Sequence, residues 1–153
     1  MSPRLAALLV LLPFAGACGD DPLGPQFPED TDFASSLGID LAQMTRLESG
    51  VFIQTTREGT GDPVTAGTVT VAFTLWLPDG TEADASDAFQ FTFGVTPLIQ
   101  GWVDGVTGMR VGEIRKIVVP SPLGFGASGS GPIPPHSVLI FQVELLSVDE
   151  AAG

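Results

Sequence analysis

Few residues in this chain could carry covalent or acid–base chemistry. There is one histidine, His136, and one cysteine, Cys18, in 153 residues. A histidine with no partner motif makes neither a triad nor a metal site, so His136 reads as a turn residue. The single cysteine excludes an internal disulfide. The chain concentrates aromatic surface instead. Phe89, Phe91 and Phe93 alternate in "DAFQFTFG", Trp102 follows in "TPLIQGWVDGVTGM", and Phe141 lies in "GPIPPHSVLIFQVELL". In that last stretch a stiff proline turn precedes a very apolar strand, so turn and strand can form the rim and wall of a shallow pocket. Such a pocket works by shape and by excluding water. Taken singly, each of these aromatic residues would also be core in any β-domain.

Strands and one helix must position these groups. Alternation over "GVFIQTTREG", "GTVTVAFTLWLPDGTEADAS", "DAFQFTFG", "EIRKIVVP" and "SVLIFQVELLSV" predicts about five strands joined by tight turns such as "PDG". Short strands with such turns imply an antiparallel sheet. Leu98, Trp102 and Val106 recur at helical spacing, with Ile99 and Val103 alongside. Thr96 could cap that helix, Pro97 suits its first position and Gly108 its stop. Gly101 within it costs about 1 kcal/mol relative to alanine. The expected fold is α+β, an antiparallel curved sheet wrapped around one short helix.

Composition narrows the function class. Apolar residues make up 44% and charged residues 16%, enough for a real core and too few charges for a disordered chain. Eighteen acidic residues against six basic ones argue against a nucleic-acid partner. At the N-terminus, Arg4, an apolar run over 5–16 and small residues before Cys18 read as a secretory signal, too short for a bilayer span of about 20 residues. Ala15-Gly16-Ala17-Cys18 resembles a bacterial lipoprotein box, which implies lipidation of Cys18 and attachment to an envelope membrane. Residues 19–36, rich in Pro, Gly, Asp and Ser, read as an extended linker, with a weak helical turn possible over 37–50. The predicted organisation is a signal at 1–17, lipidated cysteine and linker at 18–47, one domain at 48–149 and a tail at 150–153. A monomer is expected.

Taken together, "PLIQGWVDGVTGMRVGEIRKIVVP", "GFGASGSGPIPPHSVLIFQVELL" and "GTVTVAFTLWLPDGTEADAS" resemble the FKBP-type peptidyl-prolyl cis-trans isomerases over residues 48–149. The resemblance implies a sheet around a short helix that starts nearer Gln100. It implies Trp102 as pocket floor, Phe89 and Phe141 as walls, Leu98 and Ile99 at the edge, and Ile133 on the rim. The Ile99 N–H is implied as a ligand donor, Asp84 as an acidic pocket residue, and Phe73 and Phe125 at positions where tyrosines are usual.

The implied reaction is rotation about X–Pro bonds in unfolded or secreted chains. Resonance sets its barrier at roughly 20 kcal/mol. No nucleophile, metal or cofactor is required, because a dry pocket destabilises the planar, charge-separated amide relative to the twisted one. The departures from the family are specific. The chain has no tyrosine, so Phe125 offers no hydroxyl to a carbonyl and Phe73 none to Asp84. Ala83 stands where a phenylalanine is common, and the turn between Gly126 and Pro135 is one residue short. A weak or inactive binding module of the cell envelope is therefore the alternative to an isomerase. A scaffold lipoprotein is a third reading, since fold alone does not decide.

Overall fold

The computed structural model describes residues 24–149. The predicted signal, Cys18 and the tail lie outside them. Six strands form one antiparallel sheet: β1 (Thr45–Arg46), β2 (Phe52–Arg57), β3 (Thr68–Trp76), β4 (Glu82–Thr92), β5 (Ile114–Val119) and β6 (Leu139–Asp149). Their order is β1-β2-β5-β6-β3-β4. The strand beyond the expected five is β1, two residues long and paired to β2.

Alternation sorts the strands into two faces. Val69, Val71, Leu75, Ile117, Phe141, Val143 and Leu145 form the main core beneath α1 (Gln100–Val106). That helix starts at Gln100, so the expected cap at Thr96 does not form. Ile99 precedes it in extended backbone, without a side-chain cap. The Thr96 hydroxyl instead accepts the Thr92 N–H at 2.9 Å, closing the end of β4. Leu98 therefore approaches the core from a loop, although its spacing matches a helix.

The helix lies very close to β5. A methyl at Gly101 would run into the Val119 side chain, and one at Gly105 would sit 2.5 Å from Ile117 Cγ2. Glycine's poor helix propensity is thus the cost of a close helix–sheet approach. A buried ion pair secures the far end of α1. Arg115 contacts Glu113 at 2.8 Å and donates to the carbonyls of Gly105 at 2.9 Å and Thr107 at 3.2 Å. A cation there also suits the negative end of a helix. The other Glu113 bonds, from the Thr55 hydroxyl and the Arg110 N–H, complete the carboxylate's shell.

The opposite face of the sheet carries Phe52, Val118 and Ile140, and residues 24–44 cover it. This strap corrects the expectation of an extended, solvated linker over 24–36, while its turn at Leu41–Gln43 falls where a weak helical turn was expected over 37–50. It makes three 3₁₀ turns, at Pro28–Asp30, Ser35–Leu37 and Leu41–Gln43. Leu37 and Met44 are buried against Phe52, Val118, Val138 and Ile140, with Phe33, Ile39 and Trp76 packed around them. Backbone bonds fasten it: Ala34 N–H to Pro78 O at 2.7 Å, and Ser121 N–H to Gln26 O at 3.0 Å. The Lys116 ammonium donates to Leu37 O at 2.8 Å. The physical reason is the sheet itself, whose central strands are apolar on both faces and need two covers.

Candidate active site

On the helix side of the sheet, β3, β4, β6, the loop before α1 and the loop after β5 enclose a hollow of about 310 Å³. Its floor is Trp102, only 3% exposed. Phe73, Phe89 and Phe141 surround the indole edge-on, with centroids at 5.3, 6.0 and 5.2 Å. Edge-to-face packing of this kind adds roughly 0.5–1.5 kcal/mol per pair beyond area burial. It also holds each ring in one orientation. Phe91 meets the indole from the core at 5.7 Å and is itself 1% exposed.

Of the residues expected in the pocket, Phe73, Asp84, Phe89, Leu98, Ile99, Trp102, Phe125 and Phe141 all line this hollow. Ile133 is not among its lining residues. It is 6% exposed and packs with the main core. Its turn is tied by reciprocal bonds between Ser130 and Ile133, and the His136 N–H donates to Gly126 O at 2.7 Å. His136 holds a left-handed backbone at φ 57°, a strained conformation that braces the loop carrying Phe125. Ala83 is half-buried against the main core and does not line the hollow.

Leu75, Ser86 and Pro97 also line the hollow and were not expected. Leu75 follows from alternation with Phe73 on β3. Ser86 has no such signal. Val71 pairs with Phe89 while Phe73 pairs with Ser86, so β4 carries one extra residue there. That bulge lets Phe89 and Phe91 share a face with Ser86 and Asp84, which strict alternation would place on opposite faces.

Polar groups in the hollow are few. The Asp84 carboxylate is exposed and accepts the N–H of Ala85 at 2.8 Å. The Ile99 N–H makes no hydrogen bond among the described residues. The indole N–H of Trp102 is buried without a partner. An unmatched buried donor costs about 1–3 kcal/mol. Among the described residues no cluster of His, Cys, Asp and Glu is arranged to hold a metal ion. A second depression of about 440 Å³, bordered by residues 60–67, Val111 and Val148, lacks converging aromatic groups.

The profile of the FKBP-type peptidyl-prolyl cis-trans isomerases matches residues 59–146. The chain belongs to that family. It is 44% identical over 107 residues to an FK506-binding protein of Neisseria meningitidis serogroup B, covering 66% of this chain and 98% of that one. Its fold matches that of FkpA from Escherichia coli with a TM-score of 0.65 at 33% identity, over 72% of this chain and 53% of that chain. A peptidyl-prolyl isomerase from Pseudomonas syringae matches at 0.64 and 32% identity, over 71% of this chain and 82% of that chain. This FKBP-type protein is thus a peptidyl-prolyl cis-trans isomerase. Its curved antiparallel sheet around one short helix is the fold that the sequence predicts.

Proposed function

We propose that this FKBP-type isomerase turns X–Pro bonds in the Trp102 hollow, acting on unfolded or secreted chains at a bacterial cell envelope to which lipidated Cys18 tethers it. The observation that carries the reading is an aromatic hollow with a buried indole floor and only two polar side chains, Asp84 and Ser86, in its lining. A planar imide, with charge on oxygen and nitrogen, loses more on leaving water than its twisted form does, so a dry hollow lowers the barrier between them. Phe89, Leu98, Ile99 and Trp102 hold the proline and its neighbour. Phe73, Phe125, Phe141 and Asp84 surround the rotating bond. Ile133 acts through the turn that braces the Phe125 loop, and the Ile99 N–H receives a chain carbonyl.

The phenyl rings at Phe73 and Phe125 favour one second reading, a weak or inactive binding module. Losing one neutral hydrogen bond to the transition state costs about 1 kcal/mol, several-fold in rate. That is too little to abolish turnover.

The test is acceleration of cis-to-trans conversion in a short apolar-X–Pro peptide by the chain from Gly24 onward, which keeps the strap. Trp102→Leu should lower kcat/KM by at least tenfold with folding intact. Binding of the peptide without acceleration above buffer would establish the module reading instead.

A further inference from the structure

The hollow sits in an unusual charge setting. From Glu58 to Met109 the chain has no lysine or arginine, and from Ile117 to Asp149 none again. Every residue lining the hollow comes from those two stretches. Each described cation is engaged elsewhere. Arg46 pairs with Glu29 at 3.1 Å, Arg57 with Glu144 at 2.7 Å, and Arg115 with Glu113 at 2.8 Å. Arg110 donates to Gly61 O and Lys116 to Leu37 O. Asp84 is the one charged lining residue, and Glu82, exposed, stands two residues before it on β4. At the preceding turn the Thr81 N–H holds the Asp79 carboxyl below its usual range, so it stays anionic. Asp84 is also unusually unencumbered. Among the described residues the Ala85 N–H is its only donor, and the hollow's lining holds no tyrosine hydroxyl to engage it.

We infer that this isomerase prefers client segments with a lysine or arginine beside the X–Pro bond, and that Asp84 determines the preference. The inference rests on the hollow being the site of turnover. A client chain entering an apolar hollow keeps its flanking residues at the mouth, within reach of the exposed carboxylate. A cationic neighbour gains there, and an acidic one meets the Asp84 carboxylate with no cation in the hollow's lining to neutralise it.

The experiment compares three X–Pro peptides that differ only in a lysine, glutamine or glutamate, placed either just before the apolar X or just after the proline. At low ionic strength kcat/KM should fall in the order Lys, Gln, Glu, with a Lys-to-Glu ratio of roughly three- to tenfold, as expected for exposed charge pairs. At about 0.5 M salt, where the screening length is only a few Å, the ratio should shrink below twofold. Asp84→Asn should bring the low-salt ratio below twofold. Any general effect of that substitution on turnover cancels in the ratio. Glu58→Gln, outside the hollow's lining, should leave the ratio within a factor of two of the wild-type value. Equal rates for the three peptides, or a ratio that survives Asp84→Asn, would overturn the inference while leaving the hollow as the site. No acceleration of any peptide would overturn both readings.

Discussion

Gly105 offers a test in which two physical effects predict opposite signs. By helix propensity alone, Gly105→Ala should stabilise the protein by up to about 1 kcal/mol. The packing says otherwise. An added methyl would meet Ile117 Cγ2 at 2.5 Å, Cδ1 at 2.8 Å and Cγ1 at 3.1 Å, where ordinary contact begins near 3.4 Å. Ile117 is fully buried in the main core. Either α1 lifts by nearly 1 Å or the isoleucine leaves its rotamer. Overpacking of this kind costs about 1–3 kcal/mol, so the net effect should be a loss of about 1–2 kcal/mol. With a urea slope of about 1.5 kcal/mol per molar, the unfolding midpoint should drop by about 1 M. Lifting α1 also moves Trp102, one turn earlier, so kcat/KM should fall with it. Urea melts of wild type, Gly105→Ala and Gly105→Ala with Ile117→Val decide the matter, and the double variant should recover part of the loss. A midpoint at or above wild type for the single variant would show that the close helix–sheet approach does not govern this position.

Phe125→Tyr restores a hydroxyl to the lining of the hollow and should raise kcat/KM on apolar X–Pro peptides by about fivefold, the worth of one neutral hydrogen bond. Arg115→Met strands the buried Glu113 carboxylate and should cost about 3–5 kcal/mol in urea unfolding, much of it regained when Glu113 is also made Gln. Leu37→Asp puts a charge into the cluster beneath the strap; it should cost at least 2 kcal/mol while peptide turnover stays within about threefold of wild type, because the hollow lies on the other face. Cys18→Ser should move the protein from the membrane to the soluble fraction, and equal partitioning of the two forms would exclude a lipid anchor at that residue.

Much of this architecture is legible because its signals are local. The alternation of "GTVTVAFTLW" and "DAFQFTFG" carries the sheet, and the order of the "IQGW", "MRVGE" and "IPPH" motifs carries the family and most of the hollow. What escaped depends on non-local geometry. The start of α1 near Gln100 comes from the family resemblance; helical spacing alone misses it, because Thr96 is used at the end of β4. Ser86 enters the hollow only because β4 bulges, and a bulge between Ser86 and Phe89 leaves no trace in composition. The strap was hidden by its own composition, since Pro, Gly and Asp suit a free linker as well as successive 3₁₀ turns. One clue was present. "SVLIF" is apolar without alternation, and a strand of that kind is buried on both faces.

The strap also bears on the proposed lipid anchor. The strap docks from residue 24 onward, so a lipid on Cys18, as proposed, would allow a leash of at most about 20 Å by covalent reach. Gln26, where the leash takes hold, is bonded to Ser121 at the root of the Phe125 loop. Under the proposed anchor, an enzyme held on so short a tether would work in the thin layer of solution next to the bilayer, meeting chains as they emerge from or fold against the membrane.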